Sequence, residues 1–169
     1  MCYSLITMDF CGGGFLLPKK KYAAFVEMAA AFILLCIIWG HSMMPPAVSS
    51  AESDWVAGLM DAWLPLERLT FWVRKAAHFT EFAAWGVVAF LNLRRFSAYR
   101  LQTFFNTLFA GLFVAVVDEF IQLFSGRGSL VSDVVLDFCG CLFGALVCVV
   151  CLKLWTAHKN NKREVGSDE

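Results

Sequence analysis

Four apolar stretches dominate the pattern of hydrophobic and polar positions along the chain. They cover residues 22–40, 76–93, 101–124 and 134–155, and each is close to the roughly 20 residues that a helix needs to cross a bilayer. Within lipid, backbone N–H and C=O groups have to be hydrogen-bonded inside the protein, which a helix achieves within one segment. The pattern therefore predicts an all-α integral membrane protein, a bundle of four transmembrane helices within a domain covering residues 22–155.

The segment between the first two runs, about residues 42–73, has an amphipathic pattern instead. Its apolar residues recur at three- and four-residue spacing, namely Trp55, Leu59, Trp63, Leu66, Leu69 and Val73. This spacing predicts helix, interrupted at Pro65. Since tryptophan prefers the headgroup level of a membrane, we expect the segment to lie on the outer leaflet or to cap the outer face of the bundle.

Composition and charge add an orientation to this picture. Hydrophobic residues make up 59% of the chain and charged residues 17%, which excludes an ordinary soluble domain. If the N-terminus is cytoplasmic, ten Lys and Arg residues fall in inner segments and four in outer segments. Because basic residues favour the cytoplasmic side, we expect both termini inside, with residues 1–21 as a cytoplasmic extension and residues 156–169 as a disordered cytoplasmic tail.

The first apolar run has a second interpretation, as the core of a cleaved signal peptide covering residues 19–51. A basic run precedes it, and the small residues Ser49 and Ala51 follow it, as in a cleavage site. However, its length of about 19 residues suits a membrane span better than the shorter apolar core of a signal. We therefore favour an uncleaved anchor.

Ionisable and polar residues within the predicted spans are the candidate site, because such groups are costly in lipid and are often functional. They lie at the predicted outer ends of three spans and in the turn after the third: Arg74, Lys75, His78, Glu81, Asp118, Glu119, Gln122, Arg127, Asp133 and Asp137. On the fourth helix, Asp133, Asp137, Gly140 and Gly144 follow one another at three- or four-residue spacing and so align on one face. Glycines allow a neighbouring helix to approach closely, so the aspartates should point into the bundle.

The charges at this level sum to minus two with His78 neutral. Three explanations are open: protonated carboxylates, a charged His78, or a bound divalent cation, which would favour convergent oxygen ligands. A purely structural network that fixes the register of the helices is the alternative to a functional site.

The residues collected above resemble the VanZ-like family of membrane proteins. The similarity lies in R-K-x-A-H-F-x-E-F from Arg74 to Phe82 and D-E-x-x-Q from Asp118 to Gln122. Arg127, Asp133, Asp137, Gly140 and Gly144 follow in order. Phe82 departs from the family, which often has Tyr there. The resemblance, over roughly residues 22–155, implies a multi-pass protein of the bacterial plasma membrane, in a family named for a protein associated with low-level teicoplanin resistance.

Three functions are consistent with these residues. The first is binding of an amphiphile of the outer leaflet, either a lipid-linked envelope precursor or a lipoglycopeptide, with Arg74, Lys75 and Arg127 meeting its phosphate or carboxylate groups. The second is a metal-assisted hydrolase or transferase, in which His78 acts as acid and base. Its metal would be held by carboxylates from among Glu81, Asp118, Glu119, Asp133 and Asp137. The third is a structural accessory subunit. No motif with a secure catalytic mechanism is present, and we expect the lipid bilayer, not nucleic acid, as a partner.

Overall fold

The computed structural model describes residues 19–59, 66–96, 100–126, 128 and 130–165, and every regular element in these ranges is helical. The helices are α1 (Lys19–Met43), α2 (Pro46–Gly58), α3 (Leu66–Leu93), α4 (Arg100–Phe124) and α5 (Val131–Val165). The prediction of an all-α protein is therefore confirmed for the described part of the chain.

Three of the described helices are long and apolar enough to cross a membrane, namely α1 over Tyr22–Met43, α4 over Arg100–Phe124 and α5 over Val131–Asn161. The prediction of four apolar spans is thus confirmed for three. The remaining long helix, α3, has 28 residues but carries charged side chains along its first half. It also packs against each of the other four helices, which supply neighbours for Lys75, His78 and Glu81.

The ends of the helices differ from the predicted spans in two places. Helices α1 and α4 begin and end within three residues of the prediction. Helix α3 begins ten residues before the predicted start at Ala76, because the amphipathic segment continues into the span without a break. Helix α5 continues from the predicted end at Trp155 to Val165, through a stretch predicted to be disordered. Extending an existing helix avoids the cost of nucleation, and this stretch contains the helix-forming residues Ala, Lys, Arg and Glu.

The predicted amphipathic segment is divided between two helices. Pro46 occupies the first turn of α2, where its missing N–H leaves no hydrogen bond unmade. The buried side of α2 carries only small residues, with Ser49, Ser53 and Ala57 one turn apart. Trp55 of α2 and Leu59, directly after the helix, are 70% and 72% exposed, so these large apolar side chains face away from the bundle. Trp63 and Pro65 lie outside the described residues.

Small residues bring α3 and α5 into close contact. Added Cβ atoms at Gly140 and Gly144 of α5 would collide with the backbone carbonyls of Phe79 and Ala83 on α3. The core beside this contact is centred on buried side chains of four helices: Ile38, Phe82, Trp85, Ala89, Val114, Ala115 and Cys141. Large apolar residues elsewhere face outward, as on α4, where Phe105, Phe109 and Phe113 are exposed. An exposed apolar perimeter around a core with buried polar groups is what a lipid environment favours.

At the other end of the bundle, polar contacts connect α1 to the C-terminal end of α3. The Arg95 guanidinium lies 2.6 Å from the Glu27 carboxylate. The amide of Asn92 donates to the backbone carbonyl of Glu27, at 3.0 Å, and to that of Val88, at 2.9 Å. These contacts fix how α1 is seated against α3 at the predicted cytoplasmic side.

Candidate functional site

The candidate site lies where α1 and α4 end, α5 begins, and the charged half of α3 passes between them. At its centre, His78 of α3 faces two buried carboxylates. Its Nδ1 atom lies 3.8 Å from Oδ1 of Asp137 on α5 and 4.0 Å from Oδ2 of Asp118 on α4. The structure thus brings together three residues that are 40 and 19 positions apart in the sequence.

Asp118 is fully buried and is held by two hydrogen-bond donors. The hydroxyl of Ser42 on α1 donates to Oδ1 at 2.6 Å, and the amide of Gln122 donates to Oδ2 at 2.9 Å. The Gln122 contact is the expected pairing of residues four apart on one helix. The carboxylate is therefore fixed in orientation from two sides.

Asp137 is only 1% exposed, and neither of its carboxylate oxygens has a hydrogen-bond partner. A buried carboxylate without donors is unusual, because the lost hydration is not replaced. The Nδ1 atom of His78, at 3.8 Å, is beyond hydrogen-bonding distance. Asp137 is therefore the least satisfied polar group among the described residues at this level.

The three polar residues spaced along α3 contact different neighbours. Lys75 pairs with Asp133 of α5, His78 faces Asp118 and Asp137, and Glu81 accepts from His41 of α1 at 2.6 Å. Because a helix turns by about 100° per residue, each step of three residues rotates the side chain by about 60°. The predicted stripe therefore winds around α3 and reaches three separate helices.

Glu119 connects the end of α4 to the start of α5. One of its carboxylate oxygens accepts from the backbone N–H of Leu130, at 3.1 Å, while the other is buried without a hydrogen-bond partner. Arg127, which was predicted to lie over the cluster, is outside the described residues.

Two cavities lie beside the polar residues described above, and Arg74 lines both of them. The first, of about 180 Å³, lies among α1, α2 and α3. Its polar lining consists of His41, Ser49, Glu52, Ser53, Arg74, His78 and Glu81. The second, of about 290 Å³, lies beside the start of α5 and includes Lys75 and Asp133. In the described part of the chain, no carboxylate lies within ion-pair distance of the half-buried Arg74 guanidinium.

Two residues of this region were missed by the sequence analysis, His41 and Ser42. Both directly follow the first apolar run, where isolated polar residues are ordinarily found at the membrane boundary. Their predicted depth in the membrane could have identified them, because the first span ends at the same level as the other polar groups. Contact with Glu81 and Asp118 adds a fourth helix to the site.

A family model described as VanZ/LLP1 matches residues 25–152, or 128 of the 169 residues. The matched range includes the buried cluster and both cavities. No curated protein and no solved structure matches the chain.

Proposed function

Because the chain belongs to the VanZ/LLP1 family, we propose that it is a multi-pass protein of the bacterial plasma membrane that binds the anionic headgroup of an amphiphile at its outer face. The observation that carries this proposal is Arg74, a half-buried guanidinium on the wall of two cavities. Lipid-linked envelope precursors and lipoglycopeptides are the amphiphile classes that fit the location.

The charge around Arg74 supports an anionic ligand in the second cavity, whose described lining carries Arg74 and Lys75 against the one carboxylate of Asp133. The neighbouring Lys75 is neutralised by Asp133, whereas no described carboxylate pairs with Arg74. A guanidinium offers several N–H donors in a planar fork, which matches the oxygens of phosphate and carboxylate groups. A headgroup carrying either group would therefore compensate a charge for which the described residues supply no counter-ion.

The size of the cavities favours a headgroup over a whole molecule. Volumes of about 180 and 290 Å³ fall below the range of roughly 300–1,000 Å³ that is usual for pockets enclosing a drug-sized ligand. A phosphate with one attached group fits such a space, and a complete lipoglycopeptide does not. The apolar remainder would lie outside, along the exposed Trp55 of α2 and Leu59 directly after it.

The proposal includes four spans, with α3 as the second, an uncleaved α1, and both termini in the cytoplasm. Retention of α1 is supported by the hydrogen bond from Ser42 to Asp118, which a cleaved chain would lose. A reporter that is active only outside the plasma membrane, inserted after Leu59, should be active, and the same reporter fused after Val165 should be silent. The reverse pattern would contradict the orientation.

The binding test uses the full chain in lipid nanodiscs and a polyprenyl phosphate as the probe, with the uncharged polyprenol as its matched ligand. We expect the phosphate to bind more tightly. Arg74→Gln should weaken it by about 10- to 100-fold, since a hydrogen bond to a charged group contributes about 1.5–3 kcal/mol. Arg95→Gln, at the opposite end of the bundle, is the control and should leave the affinity unchanged.

Equal affinity for phosphate and alcohol, or unchanged binding by Arg74→Gln, would contradict headgroup recognition. Teicoplanin is a second probe: if it competes with the phosphate, both amphiphile classes share the site.

A structural accessory role is the competing proposal, and it is supported by the contacts that tie α1, α4 and α5 to α3. Cells carrying His78→Ala, Glu119→Ala or Asp137→Asn separate the two. A variant that is present at normal levels in the membrane, but no longer produces the wild-type lipid composition or lipoglycopeptide tolerance, supports a binding site. Loss of the protein in step with the phenotype supports the structural role.

A further inference from the structure

The spacing within the buried cluster is unsuited to direct hydrogen bonds. One ligand atom each from His78, Asp118 and Asp137 lies within 4.8 Å of the others, and the imidazole Nδ1 is 3.8 and 4.0 Å from the two carboxylates. A hydrogen bond would need about 2.7–3.2 Å. Two ligands at about 2.0–2.2 Å from one metal can be up to roughly 4.4 Å apart. Both distances from the imidazole exceed a hydrogen bond and stay below this limit, as they would if one metal ion lay in the gap between the groups.

The Asp137 carboxylate is the independent observation that points to a ligand. It is 99% removed from solvent, with both oxygens lacking a donor, and it faces the gap beside His78. Lys75, the closest lysine on α3, is committed to Asp133. Glu119, also buried, adds one further oxygen without a hydrogen-bond partner. A cation in the gap would compensate negative charge that the described side chains leave uncompensated.

Asp118 has the support that a metal ligand requires. Its two hydrogen bonds, from Ser42 and Gln122, hold the carboxylate plane so that it faces His78. Such outer contacts orient ligands and commonly alter metal affinity by about 10- to 100-fold when they are removed. Side chains from α1 and α4 thus fix one ligand before any ion arrives.

We infer that His78, Asp118 and Asp137 bind one divalent transition-metal ion in the core between α3, α4 and α5. An imidazole nitrogen with carboxylate oxygens suits Zn²⁺ or Mn²⁺, whereas Mg²⁺ and Ca²⁺ prefer oxygen ligands alone. Three protein ligands leave at least one coordination position open. This inference goes beyond headgroup binding and does not depend on it, since Arg74 takes no part in the cluster.

The test begins with the metal content of the full-length protein, purified in detergent without chelator. We expect about one zinc or manganese per chain. The stripped protein is then titrated with Zn²⁺, Mn²⁺ and Mg²⁺ separately, and Mg²⁺ should bind weakest. Asp137→Asn should weaken Zn²⁺ binding by more than 100-fold, beyond the loss typical of an outer contact. Asp54→Asn, which changes an exposed carboxylate on α2, is the control and should keep its metal.

Thermal unfolding distinguishes a variant that has lost a metal ligand from one that has lost its fold. In chelator, Asp137→Asn should melt at or above the temperature of the wild type, because it removes an unpaired buried carboxylate. Added Zn²⁺ should stabilise only the wild type and the control.

A wild type without metal that gains no stability from Zn²⁺ or Mn²⁺ would overturn the inference. Unchanged affinity in Asp137→Asn and His78→Gln would overturn it equally. Arg74→Gln should keep the metal while losing the headgroup, so either proposal can fail without the other.

Discussion

Close packing of α5 on α3 sets the distance between the walls of the site, and Gly144→Ala tests it. The added methyl group would overlap the backbone carbonyl of Ala83, which cannot move as the end of a side chain can. Relieving the overlap requires the two helices to separate. Gly40→Ala on α1 is the matched control, since a Cβ there meets nothing within 4 Å.

The expected magnitude follows from the difference between the two variants. Each gains the same helix propensity, about 1 kcal/mol for Gly to Ala, and only Gly144→Ala incurs the cost of overpacking, about 1–3 kcal/mol. At about 2–4 °C per kcal/mol for a chain of this size, Gly144→Ala should melt roughly 2–12 °C below Gly40→Ala. Thermal unfolding in detergent, followed by circular dichroism, measures this difference.

The same variant also reports on the site. Gly144 lies two turns along α5 from Asp137, so separation of the helices should carry Asp137 away from His78 and lower the metal content. Equal melting temperatures for Gly144→Ala and Gly40→Ala would refute the reasoning, because they would show that α3 and α5 are not in the close contact described above.

Two further substitutions test the contacts of α1. Ser42→Ala removes a donor to the buried Asp118 carboxylate and should lower the free energy of unfolding by about 1.5–3 kcal/mol. Ser50→Ala, whose hydroxyl is exposed, should stay within about 0.5 kcal/mol; similar denaturant curves for the two would contradict a buried Ser42 contact. Asn92→Ala removes the amide that donates to the Glu27 carbonyl and should lower the free energy of unfolding by about 0.5–1.5 kcal/mol. An unchanged free energy of unfolding in the same denaturant titration would contradict a stabilising contact there.

Hydrophobic run length was sufficient to predict α1 and α4, because each helix is about as long as its apolar run. It failed at the start of α3, since bilayer thickness limits the apolar part of a helix and not the helix itself. The amphipathic residues before Ala76 and the span after it belong to one continuous α3. Its first half is too polar for the apolar pattern that identifies α1, α4 and α5.

Spacing along each helix predicted which polar residues share a level, and the structure places His78, Asp118 and Asp137 together there. It did not predict which residues meet. Partner choice depends on how each helix is rotated about its axis, and a one-dimensional spacing does not contain that rotation. Ser42 shows this best, since a lone serine after an apolar run has no pattern of its own and still contacts the most buried carboxylate.

The central position of α3 has a consequence for the order in which the chain enters the membrane. A charged residue makes insertion of a span less favourable, by roughly 2.5–3.5 kcal/mol at the centre of the helix and by less towards its ends, and α3 carries several in its first half. Its polar partners Asp118, Asp133 and Asp137 lie on α4 and α5, which are synthesised later. In the proposed four-span arrangement, α3 therefore inserts stably only once those helices are available. Assembly of the bundle then waits for α5, which is synthesised last, because α3 needs its aspartates. Helix α3 itself is synthesised before α4 and α5.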